Sequence, residues 1–294
     1  CFSENLIEQL KQIGKIRTAE TYTTTLNSFR RFMHSRKKNS DIPFDKIDSS
    51  LMMEYEQYLK FHDICPNSSS YYMRNLRAIY NRAVEKELVI QRYPFKYVYT
   101  GIDKTVKRAV SAEIIRQIRD LDLSHTPSLE YARDLFMFSF YTRGMSFVDM
   151  AYLKKSNLQN GFLSYCRKKT NQRLLIKWEK PMQEIIDKYD TSNTPYLLPI
   201  IKNILKDNRG QYKNAIRLMN TKLKTIGMLI GLPIPLTTYV ARHAWASIAR
   251  SKNVQISTIS EAMGHDSEST TRIYLASLDT SIVDEANSLI IQTL

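Results

Sequence analysis

The sequence has few of the residues that make tight turns or covalent cross-links. Of its 294 residues only 8 are Gly and 9 are Pro, which leaves little room for a sandwich or barrel with many tight turns. Its three cysteines, Cys1, Cys65 and Cys166, form neither a CxxC pair nor an even disulfide set. We therefore expect a mainly α-helical protein in a reducing, cytoplasmic compartment.

Several signatures of other functions are also missing. The chain has no run of 18 apolar residues that would predict a transmembrane helix, and its first residues do not form a secretory signal. It has no phosphate-binding loop, no dinucleotide-binding glycine pattern and no HExxH motif, and its five histidines are not spaced as a metal site. These absences predict no membrane partner, no metal ion and no nucleotide cofactor.

Acidic residues are scarce relative to basic ones. The chain has 43 Lys and Arg against 29 Asp and Glu, a formal net charge of +14. The excess is spread along the sequence, since residues 1–100 hold 16 basic and 11 acidic side chains. A basic excess of this size favours a polyanionic partner, and nucleic acid is favoured over a membrane surface.

Apolar periodicity predicts a helical domain at residues 1–100. Three helical patterns occur there, starting near Thr18, Asp48 and Pro66, each with apolar side chains on one face and basic ones outside it. Their tyrosines and phenylalanines are interpreted as core. A polar, lysine-bearing linker is expected at residues 101–110.

The second predicted domain covers residues 111–294 and begins at Ser111, a helix-capping residue followed by an early acid. Residues 129–141 predict a buried helix. Two short apolar runs, 162–166 and 173–178, surround a polar turn and predict a β-hairpin. The expected fold class is therefore mainly α with one small β-hairpin or sheet.

The candidate chemistry lies in the last quarter of the chain. Tyr239-Val240-Ala241-Arg242-His243 is followed by Met263-Gly264-His265 and then by Tyr274. Breaking a phosphodiester without a metal requires an oxygen nucleophile, cationic donors for the non-bridging oxygens, and an acid for the leaving oxygen. A tyrosine suits the first role, because its phosphodiester keeps the bond energy for resealing. Arginine suits the second, because its planar fork donates two hydrogen bonds.

These motifs resemble the signature of the tyrosine recombinases, the phage-integrase family. Arg242, the Gly264-His265 pair and Tyr274 nine residues later are similar to the family's HxxR, (L/M)GH and Tyr elements. The stretch 142–149 is similar to its first catalytic box, and Lys169-Thr170 to its β-hairpin lysine. The likeness spans the whole chain and is greatest to integrases of conjugative and mobilisable transposons.

The resemblance implies a role for each matching residue. Tyr274 would be the nucleophile, Arg242 the second arginine, His265 the histidine beside the phosphate and Lys169 the general acid. The implied enzyme is a site-specific recombinase that acts through a covalent 3′-phosphotyrosine, without metal or nucleotide cofactor. The implied partner is double-stranded DNA, bound by a tetramer that exchanges C-terminal helices. The protein could be a monomer off DNA.

Two positions depart from the family pattern. Tyr239 stands where the family has the histidine of HxxR, and Ser146 stands at the position of the first arginine. Tyr239 could still donate a hydrogen bond to phosphate. Losing a guanidinium should cost about 3 kcal/mol of transition-state stabilisation. Arg143 and Arg167 are the candidate substitutes, and we expect Arg167 to share a strand face with Lys169.

Two other interpretations remain open from the sequence. A type IB topoisomerase would use the same chemistry to relax DNA, although the separate helical N-terminal domain favours a recombinase. A catalytically silent DNA-binding protein of the same fold is favoured by the departures at Ser146 and Tyr239. The C-terminal segment 281–294 carries an apolar stripe that fits docking either on a neighbouring protomer or on its own domain.

Overall fold

A computed structural model describes residues 1–36, 41–103, 109–275 and 290–292. The chain divides into two compact units, Cys1–Thr105 and Val106–Leu294. Most of the expected C-terminal stripe, including Ile282, Ala286 and Leu289, lies outside the described residues, as does part of the expected linker. The described part of the chain contains no helix long and apolar enough to cross a membrane.

The N-terminal unit is helical. It contains the three helices that the sequence predicts and one more before them, because the amphipathic stretch at the start of the chain buries Leu6, Ile7 and Leu10 against the next helix. Asp48 caps its helix by accepting a hydrogen bond from the Leu51 amide at 2.8 Å. The helices are α1 (Phe2–Gln12), α2 (Ile16–Ser35), α3 (Ser49–Phe61) and α4 (Pro66–Glu85).

The tyrosine and phenylalanine stripe of this unit is core, as predicted. Tyr22, Phe29 and Met33 of α2 are all buried. Tyr55 of α3 is fully buried, and its hydroxyl donates to Ser28 at 2.8 Å, so the one polar atom of the ring is satisfied. Basic side chains such as Arg31 and Arg74 therefore remain on the outer faces or at their edges.

The C-terminal unit opens with helices that bring chain-distant residues together. Ser111 caps its helix as predicted, through the Ile114 amide at 3.3 Å. The predicted buried helix is present and contributes the fully buried Phe136 and Phe138 to the main core. These helices are α5 (Ala112–Asp120), α6 (Pro127–Tyr141) and the single-turn α7 (Phe147–Ala151).

The predicted hairpin is present, and it belongs to a small antiparallel sheet. A third strand of two residues precedes the hairpin and pairs Leu158 with Leu163. Within the hairpin Phe162 pairs with Lys177 and Cys166 with Arg173, so residues 167–172 form the connection. The strands are β1 (Leu158–Gln159), β2 (Phe162–Cys166) and β3 (Arg173–Lys177). The expected fold class, mainly α with a small sheet, is confirmed.

Five further helices complete the described part of this unit. The central one, which carries Arg242, packs against α6, so it faces the loop that follows α6. The last two pack on each other and on the Arg242 helix, and they share a core of Ala246, Ile259, Met263 and Leu275. The five are α8 (Lys180–Asp187), α9 (Asn208–Leu229), α10 (Thr238–Ser251), α11 (Ile256–Met263) and α12 (Glu268–Leu275).

Candidate active site

Arg242 is the centre of the candidate site. Its side chain is buried on α10, and its guanidinium donates to the Gly144 carbonyl at 2.8 Å and to the Met263 carbonyl at 2.6 Å. The same guanidinium lies 3.1 Å from Nε2 of His265. One side chain thus joins the loop after α6 to the end of α11, although Gly144 and Met263 are 119 residues apart in sequence.

Gly144 makes this close approach possible. Its φ of +74° is in the left-handed region that favours glycine, and a Cβ there would lie 2.7 Å from Cα of Arg242. Arg143, immediately before it, is also left-handed, with φ of +61°. Two consecutive left-handed residues turn the chain sharply after α6 and place it against α10.

His265 follows a left-handed C-terminal cap on α11. Gly264 has φ of +61°, and the His265 amide donates to the Ser260 carbonyl at 3.0 Å. Nδ1 of His265 lies 2.8 Å from the hydroxyl of Thr271, which is fully buried on α12. Because the Arg242 guanidinium can only donate, Nε2 must accept, and the proton of a neutral ring then lies on Nδ1 and is donated to Thr271.

The surroundings hold this imidazole neutral. Burial, followed by the positive charges of Arg242, Arg167 and Lys169, lowers the pKa of His265 to about 4. The bond to Arg242 therefore forms at neutral pH with an uncharged ring, whereas an imidazolium would face a guanidinium there.

The hairpin turn docks on the residues around His265. Arg167 is buried and donates to the Gly264 carbonyl, and the Thr170 hydroxyl lies 3.3 Å from the same oxygen. The Gln172 amide reaches the His265 carbonyl at 3.3 Å. A Cβ on Gly264 would lie 2.9 Å from Cδ of Arg167, so this glycine also permits a close approach.

The hairpin lysines face different neighbours. The ammonium of Lys168 lies 3.5 Å from the centroid of the Tyr152 ring, and burial lowers its pKa. Lys169 is exposed in the turn and lies near enough to His265 for its charge to lower the imidazole pKa. The expectation that Arg167 and Lys169 share a strand face is wrong. β2 ends at Cys166, and the chain turns at Lys168–Thr170.

Ser146 occupies the first-arginine position as a helix cap. Its hydroxyl accepts from the Asp149 amide at 3.4 Å and donates to the Asp149 carboxylate at 2.6 Å. The second carboxylate oxygen accepts from the Lys168 amide at 2.9 Å. This corner of the site therefore supports the hairpin turn, and Ser146 brings no positive charge to it.

Both candidate substitute arginines lie near this region. The charges of Arg242, Arg167 and Arg143 all act on Tyr165, whose pKa is raised chiefly by burial and next by Asp149. Arg143 is half-buried, whereas Arg167 is 6% exposed. Nε of Arg167 is buried and donates to no other group in the described part of the chain.

Two further candidate residues lie on α10 and α12. Tyr239 is 56% exposed, and its ring lies edge-on to His243 with centroids 4.5 Å apart. Tyr274 is placed by its backbone in the last turn of α12, three residues after Thr271. Residues three apart on a helix are neighbours, so α12 connects the position of Tyr274 to His265 through Thr271.

The structure adds residues that the sequence motifs did not single out. Thr271 and Gln172 contact His265, and the Asp149 carboxylate connects Ser146 to the hairpin. The local sequence gives no signal for the longer-range contacts, because the Lys168 amide and the His265 carbonyl lie on elements separate from those of Asp149 and Gln172. Among the described residues, no group of three or more His, Cys, Asp or Glu could hold a metal ion.

Known proteins are similar in sequence to this chain. Residues 1–100 match the family model of the phage integrase SAM-like domain. A tyrosine recombinase XerC of Rickettsia bellii is 26% identical over 267 residues, which cover 87% of this chain and 85% of the relative. A XerC of Caldanaerobacter subterraneus is 23% identical over 296 residues, which cover 92% and 80%.

Solved structures share the fold. A lambda integrase dimer bound to a COC′ core site superposes with a TM-score of 0.69 at 14% identity, covering 93% of each chain. The Tn1549 transposon integrase in complex with a circular intermediate DNA gives 0.63 at 14% identity, covering 93% of this chain and 94% of that one. The chain therefore has the fold of these two integrases. Over most of its length the chain is similar to tyrosine recombinases, and its first 100 residues match a phage integrase domain.

Proposed function

We propose that this protein is a site-specific DNA recombinase that cleaves and rejoins DNA through a covalent bond to Tyr274. The observation that carries the proposal is the convergence of Arg242, Arg167 and His265 around the Gly264 turn, beside the helix that bears Tyr274. Two buried guanidiniums and a neutral imidazole form a site suited to an anion.

The reaction needs no metal or nucleotide. The Tyr274 hydroxyl gives its proton to the neutral His265 imidazole as its oxygen attacks the phosphorus and forms a 3′-phosphotyrosyl bond, while the bond from phosphorus to the 5′-oxygen breaks. Lys169 gives a proton to that 5′-oxygen, which leaves as a hydroxyl. Attack by a 5′-hydroxyl of another strand reverses these steps and frees Tyr274. The arginines stabilise the charge on the non-bridging oxygens.

Arg167 is the better candidate for the charge that Ser146 does not provide. The charge of Arg167 lowers the pKa of both His265 and Tyr165, whereas the charge of Arg143 affects Tyr165 but not His265. The guanidinium of Arg167 is also fastened to the Gly264 carbonyl, so it is held beside the turn that leads to His265. The proposal therefore assigns Arg167 to the phosphate and Arg143 to the outer surface of the site.

The expected substrate is double-stranded DNA, and the net charge of +14 supports contacts to its phosphates. Such binding should weaken steeply as salt rises. The lambda integrase neighbours were solved as a dimer on a core site and as a tetramer on a Holliday junction. We propose a tetramer on DNA, with the N-terminal unit and the catalytic unit both contacting the duplex. In bacteria this reaction would take place in the cytoplasm.

One observation favours a silent DNA-binding protein: Ser146 brings no positive charge to the first-arginine position. A nicked duplex that loses its short 5′ fragment on cleavage traps any covalent adduct and separates the two functions. The wild-type protein should form an adduct that Tyr274→Phe abolishes. Tyr22→Phe is the matched control, since it removes a tyrosine hydroxyl in the other unit.

The outcomes of this experiment separate the three functions. An adduct that depends on Tyr274, together with strand exchange between two DNA sites, supports the recombinase. An adduct with relaxation of supercoiled DNA and no exchange supports a topoisomerase. Failure to form any adduct, with DNA binding intact, contradicts the proposal and favours the silent protein.

A further inference from the structure

The hairpin turn carries two adjacent lysines that face different neighbours. The ammonium of Lys168 lies 3.5 Å from the centroid of the Tyr152 ring. The charge of Lys169 lowers the pKa of His265, whereas Lys168 is not among the charges that act on this imidazole. Both side chains end in an ammonium that can protonate an oxygen. The arrangement of the turn therefore decides which of the two lysines faces the candidate site.

The short helix α7 and the residue after it hold Lys168 at two points. The Asp149 carboxylate of α7 accepts a hydrogen bond from the Lys168 amide at 2.9 Å. Tyr152 directly follows α7, and its ring lies against the Lys168 ammonium. An aromatic face attracts a cation, and it does so more strongly where water is partly excluded. Burial lowers the pKa of Lys168, which indicates such partial exclusion. The backbone and the side chain of Lys168 are thus both fixed from one side.

The Tyr152 ring is well placed to act as a support. It is half-buried, and its centroid lies 6.2 Å from that of Tyr196 and 6.3 Å from that of Tyr212. These neighbouring rings restrict its movement. The Lys169 side chain, in contrast, is exposed, so its direction follows from the backbone of the turn.

We propose that Tyr152 is a positioning residue, whose ring binds the Lys168 ammonium and thereby directs the adjacent Lys169 to the leaving 5′-oxygen. With Lys168 held at its amide and at its ammonium, the turn cannot rotate to present Lys168 to the phosphate instead. The inference rests on the proposed function, in which Lys169 is the general acid.

The test compares two nicked duplexes that differ in one atom. The first has the natural oxygen between the scissile phosphorus and the 5′-carbon, and the second has sulfur there. A thiol is far more acidic than an alcohol, so the sulfur leaves as a thiolate and needs no proton from an acid. A variant that only misplaces the acid is therefore slow on the oxygen substrate and normal on the sulfur substrate. Single-turnover cleavage is measured on both.

Three variants address the contact between Tyr152 and Lys168. Tyr152→Leu keeps an apolar side chain without the ring, and we expect it to cleave the oxygen substrate about tenfold more slowly. Lys168→Met should behave alike, and the double variant should be no slower than either, because both changes break one contact. The conservative Tyr152→Phe keeps the ring and should stay within roughly twofold of the wild-type rate. All of these proteins should cleave the sulfur substrate as the wild type does.

Two further variants calibrate the comparison. Lys169→Met removes the proposed acid, so it should lose about 10²-fold on the oxygen substrate and little on the sulfur substrate. Tyr131→Leu is the matched control for loss of a partly buried tyrosine, because the Tyr131 ring packs on Tyr189 rather than on a lysine. It should leave the ratio of the two cleavage rates unchanged. Thermal unfolding shows whether each variant is folded.

The possible outcomes are distinct. Equal losses on both substrates in Tyr152→Leu, or cleavage of the oxygen substrate at the wild-type rate, overturn the inference alone. A loss in Tyr152→Phe as large as that in Tyr152→Leu also overturns it, since the hydroxyl would then be responsible. If the wild-type protein cleaves neither substrate, the proposed function fails and the inference fails with it.

Discussion

Two regions of the candidate site, which we call the Arg242 corner and the Ser146 corner, both hold the hairpin turn in place but use different groups to do so. The Arg242 corner, made of Arg242, Gly144, Gly264 and His265, holds its parts together with a buried charge. The Ser146 corner, made of Ser146, Asp149 and the Lys168 amide, uses a neutral hydroxyl and a carboxylate. Both corners fasten the same hairpin turn, one through Arg167 and the other through Lys168.

This difference shows that anchoring the hairpin turn and providing a positive charge are separate tasks. At the Ser146 corner the anchoring of the hairpin is complete without an arginine, because Asp149 accepts from both Ser146 and the turn. What the corner lacks is a positive charge for phosphate. Arg167 carries such a charge and directly precedes Lys168, whose amide bonds Asp149. The buried Nε of Arg167 has no protein acceptor in the described part of the chain. A site can thus keep its geometry while the charge comes from another element.

The largest effect is expected at the Arg242 corner. Arg242→Ala removes a phosphate donor, so single-turnover cleavage should fall by about 10²- to 10³-fold. It should also lower the thermal unfolding midpoint, since the Gly144 and Met263 carbonyls lose their donor. Arg250→Ala on the same helix is the control and should weaken DNA binding only modestly. Cleavage by Arg242→Ala at the wild-type rate would remove this corner from the mechanism.

The next largest effect is expected at Gly144, where the backbone approaches Arg242 closely. Gly144→Ala adds backbone strain and places a Cβ 2.7 Å from Cα of Arg242, so the protein should lose roughly 3 kcal/mol of unfolding free energy. Gly161→Ala is the matched control, because Gly161 also has positive φ but nothing lies within 4 Å of its Cβ position. Its loss should be roughly 1 kcal/mol. Equal losses in chemical denaturation would show that contact with Arg242 is unimportant.

Burial of His265 at the Arg242 corner, together with the positive charges around it, also predicts a pH dependence. The pKa of His265 falls from 6.5 to about 4 on folding, so the unfolded state binds more protons between these values. The stability that this neutral imidazole allows is complete above pH 6.5 and declines as pH falls towards 4. His265→Gln should flatten that part of the pH profile of thermal unfolding. An unchanged profile in the variant would mean that other groups cause the decline.

The smallest effect is expected at the Ser146 corner. Ser146→Ala removes a helix cap and should cost about 1 kcal/mol of stability. Cleavage should stay within about threefold of the wild-type rate, since no charge is lost. A hundredfold loss of cleavage with normal stability would show that Ser146 itself serves the phosphate.

The elements of the fold were largely predictable because their signals are local. The caps at Asp48 and Ser111 and the apolar runs of the hairpin depend on residues a few positions apart, and all were found where expected. The first helix was missed because its signal was short and no recognised cap preceded it. The two-residue strand β1 exists only through its pairing with β2.

The motifs of the candidate site could be identified from the sequence, but the contacts that connect them could not. Arg242, His265 and Lys169 stand in a recognisable order, yet the Gly264 carbonyl accepts from an arginine 97 residues earlier. The error about Arg167 and Lys169 arose because strand alternation was extended past Cys166 into the turn. Such contacts depend on how the hairpin docks, and a local sequence pattern does not encode that.

The most direct test of the account asks whether Arg167 supplies the charge that Ser146 lacks. Cleavage is compared on two nicked duplexes that differ only at the scissile position, one with a phosphodiester and one with an uncharged methylphosphonate. Arg167→Met keeps a long side chain without the charge, and Arg143→Met is its control. We expect Arg167→Met to cleave the phosphodiester about 10²-fold more slowly and the methylphosphonate nearly as well as wild type. An equal loss on both substrates, or a charge-dependent loss in Arg143→Met instead, would contradict the account.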